Sequence, residues 1–565
     1  MHANLIKPSH PDIRYTPCLV RFPGDQIDDE DTRYRIVCEG YILNSRSLLD
    51  AHPGYTLKEI ILQIYEQDSF DAVLNQLRGS YVLAIQDKAA GRTCIGNDML
   101  SKKPLYYRMD GASLIADTSF LELLNASTVL KLPLSVNQAA VNQMLARCSL
   151  LESDTYVSEI RFLEPFVYLQ SEAGSVSAVR YEYQCPDTFP ADTGALISRI
   201  DLLFENACRM AVEKNRAEGY KPVFTLSAGM DSRCSLLKSL PACLAEGGHP
   251  PLCLSYGAAD CMELRIAKKL ADKYNCPLQT NEIEPVSFIP DRERILDRNE
   301  GMMYYAGTTG LTAMLDRLDT SAIGMVITGL GGGEIMGDLC QPEESDQNLL
   351  YHQLLEPVFP DMAAREERIR SIRRRYSSYN EYVCLQDLRT CQNFAYTSSH
   401  SFETFSPFLH EDLFMLLLRT PQTEKRLRRL YARWYLEAIG DPTPTSAFQG
   451  PVRITSSADP LRLIKGVFRR LRRMLGIQSK WDMNPIALWV REHPENQQYM
   501  EQSLEEDLSL IEHAYPDLAA FLRNHYIHTD ADSRLRVLTA TGMIRRILLA
   551  SSGKAIQKEQ THGTI

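Results

Sequence analysis

The run Val223-Phe224-Thr225-Leu226 feeds directly into Ser227-Ala228-Gly229-Met230-Asp231-Ser232, after which the composition turns helical. An apolar strand that enters a tight small-residue loop and leaves as a helix admits few folds. It is a corner of an α/β unit, and it aims backbone amides and a helix N-terminus at an anion. Small residues let the backbone approach closely, and the Ser227 and Ser232 hydroxyls add donors. Asp231 is placed to hold Mg²⁺ against anion oxygens. The same order of residues also makes an ordinary strand–turn–helix corner, so the loop does not decide alone.

Its surroundings extend the pattern. A helix is expected near residues 194–216, a second strand at Pro251-Leu252-Cys253-Leu254-Ser255-Tyr256, and a helix from Glu263 to Tyr274 with Leu264, Ile266, Ala267, Leu270 and Ala271 on its apolar face. A third strand, Met325-Val326-Ile327-Thr328, enters the glycine loop Gly329-Leu330-Gly331-Gly332-Gly333-Glu334. Strands alternating with helices predict a parallel sheet covered on both faces, with ligands at the carboxyl ends of its strands. Both small-residue loops lie there.

Upstream, residues 1–185 carry short β-type runs at Tyr34–Cys38, Tyr81–Ile85, Thr93–Gly96 and Ser113–Ala116, with a helix-like stretch from Leu57 to Leu77. This is an α+β module, and the turn-forming Cys185–Pro190 closes it. Beyond about residue 345 the chain reads as helical. There Leu463–Leu475 interleaves Lys465, Arg469, Arg470, Arg472 and Arg473 with Val467, Phe468, Leu471 and Met474. Such a segment suits an anionic membrane surface, a glycan or an acidic peptide, or is simply a solvated helix.

At 565 residues the chain is too long for one core. Its 44% hydrophobic and 24% charged content is that of an ordinary globular protein, and a net charge of −11 argues against general nucleic-acid binding. Fourteen cysteines occur without a C-x-x-C pair, as expected of buried thiols in a reducing compartment. There is no signal-peptide apolar region, and no apolar run approaches the ~18 residues of a membrane span. A cytoplasmic location is the expectation.

The SAGMDS segment resembles the SGGxDS loop of the ATP pyrophosphatases, with Ala228 where that family has glycine. The chain as a whole resembles the asparagine synthetase family, which joins a glutaminase-type domain to an ATP-pyrophosphatase synthetase domain. The resemblance rests on several segments in order: Glu39–Leu48, Leu77–Ala84, Gly96-Asn97-Asp98, Lys103-Pro104-Leu105-Tyr106-Tyr107, the SAGMDS loop, Arg265–Ala271, Thr328–Gly337 and Ser406-Pro407-Phe408-Leu409. It covers about residues 30 to 450. It implies an Ntn-hydrolase-like α+β sandwich over residues 1–188 and a parallel-sheet ATP-pyrophosphatase domain over 189–455. A helical extension over 456–565 carries the basic segment. ATP and Mg²⁺ are the implied cofactors, and a carboxylate plus ammonia or an amine the implied substrates. Leu226, Ser227, Gly229, Asp231, Ser232, Thr328 and Gly329 would bind the nucleotide, with Tyr256 lining the adenine pocket or merely packing. Asp231 and Glu334 would hold the metal.

The departures matter as much. The family's glutaminase uses an N-terminal cysteine as nucleophile, and here position 2 is His2 and the first cysteine, Cys18, is internal. Glu39 stands where an amide should donate to the oxyanion, which is electrostatically wrong. Glutaminase activity is therefore expected to be absent. Leu330 and Gly333 replace acidic or aromatic residues of the glycine loop, leaving Glu334, with Asp338 a weaker substitute. No lysine occurs in 441–455, so Arg453 is the nearest cation for a pyrophosphate leaving group. His410 stands where the family has an aspartate and is expected to be hydrogen-bonded structure rather than an acid or base. Two functions remain open: an ATP-dependent amide-forming ligase, and a nucleotide-binding pseudoenzyme.

Overall fold

In the computed structural model, residues 4–7, 10–12, 22–111, 113–184, 188–446, 451–452 and 482–552 are described. Two antiparallel sheets occupy the N-terminal part. One runs β2 (His10–Asp12), β1 (Asn4–Lys7), β8 (Ser113–Asp117), β7 (Tyr106–Asp110), β9 (Arg161–Phe162). The other runs β11 (Ser175–Arg180), β10 (Val167–Glu172), β6 (Arg92–Asn97), β5 (Gly79–Asp87), β4 (Tyr34–Ile42), β3 (Ile27–Glu30). Val37, Ala84, Ile95 and Leu169 of the second sheet share an apolar layer with Tyr107, Leu114 and Ala116 of the first, which makes the module a sandwich. Gly40 shows why one position must be glycine. Its φ is +109°, and a Cβ there would lie 2.1 Å from the Ser80 carbonyl oxygen.

The expected helix Leu57–Leu77 is two helices, Leu57–Gln67 and Phe70–Gln76. Thr56 and Glu59 form a reciprocal capping box on the first. Ser69 then restarts the helix by accepting from the Ala72 amide at 3.3 Å. A serine inside an apolar-periodic run acts here as a cap, a break that periodicity alone does not show.

The second module is a five-stranded sheet in the order β14 (Leu278–Ile283), β13 (Leu252–Ala258), β12 (Val223–Thr225), β15 (Met325–Ile327), β16 (Glu403–Phe405). All its neighbours are parallel. Strand order reverses direction at β12, so a crevice opens between the carboxyl ends of β12 and β15. The helices Thr193–Ala217, Met230–Leu244 and Met262–Lys273 cover the sheet. Helices Pro494–Ala514, Pro516–Ile527 and Ala531–Ser551 form a layer whose Leu508, Leu522 and Ile544 share a core with Phe120 and Val141 of the first module. Among the described residues no helix is long and apolar enough to cross a membrane.

The two sheet systems are fused by a continuous core and by buried polar contacts. Ile36, Ile60 and Leu83 belong to the same cluster as Phe204, Cys234, Phe408 and Trp434. The Tyr41 hydroxyl donates to the Thr404 carbonyl at 2.9 Å, and Lys102 pairs with the wholly buried Glu411 at 2.7 Å. The first module is thereby rigidly docked on the outer strand β16 and the turn after it.

Candidate functional site

The loop after β12 and the loop after β15 meet in the crevice. Leu226 is buried and donates its amide to the Leu254 carbonyl at 2.8 Å, carrying β12 one step further. Ser227 and Ser232 then face each other. The Ser232 hydroxyl accepts from the Ser227 amide at 3.0 Å, the two hydroxyls are 2.9 Å apart, and the Ser227 hydroxyl accepts from the Gly229 amide at 3.1 Å. Gly229 caps the helix Met230–Leu244, whose first turn holds Asp231. A 15-residue helix brings unsatisfied amides and the positive end of its dipole to this point.

The glycine loop packs so closely on this turn that side chains are excluded. A Cβ on Gly329 would lie 2.3 Å from the Ser232 nitrogen, and one on Gly332 would lie 2.8 Å from the Asp231 Oδ1. A Cβ on Gly333 would lie 2.6 Å from Asp338 Oδ2. The Asp338 carboxylate thus stands in the space that a residue-333 side chain would enter. The turn Glu334–Asp338 that carries it there passes through Gly337 at φ +123°, against the Lys425 carbonyl. Thr328 is fixed beneath, its amide donating to the Phe405 carbonyl at 2.7 Å and its own carbonyl accepting from the Ser235 hydroxyl at 2.8 Å.

Asp231, Glu334 and Asp338 therefore lie close together, the first two half-buried and Asp338 open to solvent. Burial pushes the Asp231 carboxyl up to about 7 despite the hydrogen bond it accepts from the Tyr431 hydroxyl. Glu334 adds to the upward push, while Arg428, paired with Asp338, works against it. Glu334 is itself raised, by burial first and then by Asp338. Oxygen donors of this kind suit Mg²⁺. Even so, no group of three or more metal-ligating side chains is preassembled among the described residues.

Several neighbours were not visible in the sequence pattern. Glu263, at the start of its helix, accepts from the Ala228 amide at 2.9 Å and so puts a carboxylate on a donor that a phosphate would use. Arg233, fully buried, donates to the Thr443 and Pro444 carbonyls, the Tyr435 hydroxyl and the Ala228 carbonyl. It thereby ties the loop to the segment Asp441–Pro444. Tyr431 comes from a distant helix, and nothing near it in the sequence marks it. Arg233, which directly follows the SAGMDS run, was the one signal available.

The remaining expected positions fall elsewhere. Tyr256 lies on β13 with its ring beside Gly310, where a Cβ would come within 2.6 Å of it, so the ring packs on the helix Thr309–Leu315. His410 is buried, and neither ring nitrogen has a hydrogen-bond partner among the described residues. Burial lowers its pKa, which favours the neutral ring. The expectation of a hydrogen-bonded histidine is thus not met among the described residues; Asp412 lies 3.9 Å from its Nδ1, and Glu411 also bears on it. Arg453, the basic run Leu463–Leu475 and the turn Cys185–Asp187 lie outside the described residues.

In the first module, Glu39 is buried with one carboxylate oxygen 3.6 Å from the Lys103 ammonium, and Lys103 also pairs with Glu403 at 3.0 Å. Glu39, which the resemblance sets at the place of an oxyanion donor, is thus part of an ion cluster that reaches across to β16. Neighbouring Cys38 is buried and its thiol is pushed strongly up by burial, so it supplies no thiolate.

The glutamine amidotransferase domain family matches residues 24–182. No curated protein matches the chain. Among solved structures the chain is similar to "the allosteric regulatory enzyme of purine biosynthesis", at 11% identity and a TM-score of 0.20, covering 45% of this chain and 62% of that one. It is also similar to glutamine phosphoribosylpyrophosphate amidotransferase from B. subtilis complexed with ADP and GMP, at 12% identity and a TM-score of 0.20, covering 64% of this chain and 76% of that one. This chain therefore spans less than two thirds of the length of the first of these. The match and the antiparallel sandwich together make residues 24–182 a glutamine amidotransferase-type domain of the Ntn kind.

Proposed function

We propose that the protein is an asparagine synthetase-like ligase that activates a carboxylate with ATP and joins it to nitrogen not drawn from its own glutamine site. The observation that carries this reading is the meeting of Asp231, Glu334 and Asp338 with a helix N-terminus at the switch point of the parallel sheet. The helix amides and the Ser227 and Ser232 hydroxyls supply donors for phosphate oxygens. Asp231 and Glu334 are the residues to hold Mg²⁺, with Asp338 next to them. When bound, Mg²⁺ supplies positive charge that offsets the phosphates and the buried carboxylates.

The chain's own groups then account for the rest. A carboxylate is a poor electrophile, so its oxygen attacks the α-phosphorus, pyrophosphate leaves, and AMP becomes the leaving group in the second step. Arg428 is the cation nearest the carboxylate cluster, and it remains tied to Asp338. The close glycine packing leaves no room for side chains beside Asp231 and Ser232, so the backbone itself forms that wall of the site. Nitrogen enters as free ammonia or as a substrate amine, because the resemblance sets Glu39, paired with Lys103, at the place of an oxyanion donor.

A second reading, a nucleotide-binding protein without turnover, is favoured by one observation. The Ala228 amide is already occupied by Glu263 and the Asp231 carboxylate by Tyr431. Calorimetry with Mg·ATP on the wild type and on Asp231→Ala, followed by carboxylate-dependent pyrophosphate exchange, separates the two. Binding lost in the variant, with exchange in the wild type, supports the ligase. Binding without exchange for any carboxylate supports the second reading, and wild-type binding that Asp231→Ala retains removes the loop from both.

A further inference from the structure

Glu334 has a second side. Its carboxylate is one wall of a cavity of about 220 Å³ that lies away from the phosphate loop, bounded also by Cys340, Cys384, Gln422 and Lys425. Lys425 is 3% exposed, and its ammonium donates to the Leu417 carbonyl at 2.7 Å. It has no carboxylate within ion-pair distance among the described residues. A buried ammonium without a counter-charge is costly, and burial lowers its pKa. Gln422 adds a buried side-chain oxygen with no hydrogen-bond partner among the described residues. Glu334 likewise forms no ion pair with any described residue. By contrast Asn380 and Glu381, on the same rim, are already satisfied by Gln341 and Ser377.

The cavity thus presents a cation without a counter-charge among the described residues, and an unfilled amide oxygen and a carboxylate that can both receive an ammonium. We propose that it binds a small zwitterion, a primary amine that also bears a carboxylate, as the nitrogen donor of the reaction. The donor's carboxylate sits on Lys425, and its ammonium faces Glu334 and donates to the Gln422 side-chain oxygen. The cavity is below the volumes of ~300–1,000 Å³ that hold drug-sized ligands, so an amino acid fits its scale and a folded partner does not.

This assignment rests on the ligase reading for its chemistry. The ammonium gives one proton to water, and the freed nitrogen lone pair attacks the acyl carbon. A C–N bond forms, the C–O bond to AMP breaks with its electron pair leaving on the phosphate oxygen, and the nitrogen loses its second proton to water.

Binding can be tested without ATP, on the full chain, with glycine, β-alanine and 4-aminobutyrate against butyrate and butylamine, which carry one charge each. At least one zwitterion is expected to bind at least tenfold more tightly than both single-charge probes. Lys425→Met and Gln422→Leu are each expected to weaken it at least fivefold while leaving Mg·ATP affinity unchanged. Because the Gln422 side-chain oxygen has no partner to lose among the described residues, its variant keeps the test meaningful if Lys425→Met fails to fold. Equal binding of butyrate or butylamine, no zwitterion binding at all, or full affinity in Gln422→Leu overturns the assignment. Zwitterion binding in a protein that does not bind Mg·ATP keeps the site and removes the ligase reading.

Discussion

The Tyr431 hydroxyl donates a hydrogen bond to Asp231, 200 residues earlier in the chain, and holds that carboxylate against the glycine loop. The phenol is fully buried and its ring stacks on Trp434 at 6.0 Å, so it has little freedom to move aside. A metal that takes Asp231 Oδ1 competes with this hydroxyl for the same oxygen. Tyr431→Phe is therefore expected to tighten Mg·ATP binding a few-fold while costing about 2 kcal/mol of stability, the usual worth of a hydrogen bond to a charged group. Asp231→Ala is expected to weaken the same binding at least tenfold. Paired calorimetry and chemical denaturation check this, and equal weakening in both variants would place the phenol within the binding site.

Glu263 makes the analogous prediction for the anion. Its carboxylate accepts from the Ala228 amide, a donor that the small-residue loop otherwise offers to phosphate. Glu263→Ala removes a negative charge and frees the amide, so ATP affinity is expected to rise about threefold to tenfold. The gain should shrink at high salt, as a charge effect does. Titration of both proteins at two ionic strengths checks it; unchanged affinity means that phosphate does not use this amide.

The contrast between these residues shows what a sequence carries. Val223–Thr225, Leu252–Ala258 and Met325–Ile327 were legible because each is an apolar run followed by a small-residue loop and a helix. Their parallel pairing follows from those crossovers. The meeting of Ser227, Asp231 and Glu334 follows in turn from the sheet order. Asp338 was legible only as a nearby carboxylate. That it fills the space beside Gly333 depends on the backbone turn at Gly337, which no residue pattern encodes. Tyr431 and the Glu39–Lys103–Glu403 cluster are contacts between segments hundreds of residues apart, or between modules, where local periodicity is silent. Tyr256 was left between an adenine pocket and packing, because a tyrosine near a strand end looks the same in sequence whether it faces a ligand or Gly310.

The Lys103 cluster predicts both stability and inactivity. Lys103→Met leaves Glu39 and Glu403 buried without their cation, and removing one partner of such a cluster costs ~3–5 kcal/mol. Adding Glu39→Gln and Glu403→Gln is expected to recover most of that loss, because the uncompensated charges disappear. Wild-type protein is expected to release no ammonia from glutamine, with Cys38 held as a thiol by burial and Glu39 repelling an oxyanion. Denaturant unfolding and a glutaminase assay check the two halves separately.

Asp441 sets the acid limit of the segment that Arg233 ties to the loop. Burial pushes its carboxyl up, but hydrogen bonds from Lys273, Tyr274 and Thr443 outweigh this and bring it down to about 2. A carboxyl near ~4 when unfolded and lower when folded adds stability above pH ~4, and that stability is lost as pH falls from ~4 towards ~2. Lys273 reaches Asp441 from a side chain that is 41% exposed, so solvent screens part of the gain. Asp441→Asn is therefore expected to be less stable than wild type by about 1–2 kcal/mol at pH 7, with the gap narrowing below pH ~4 and closing near pH ~2. Urea unfolding of both proteins across that range measures it. A gap independent of pH would show that packing, rather than the ionised carboxylate, holds Thr443 and Pro444 against Arg233.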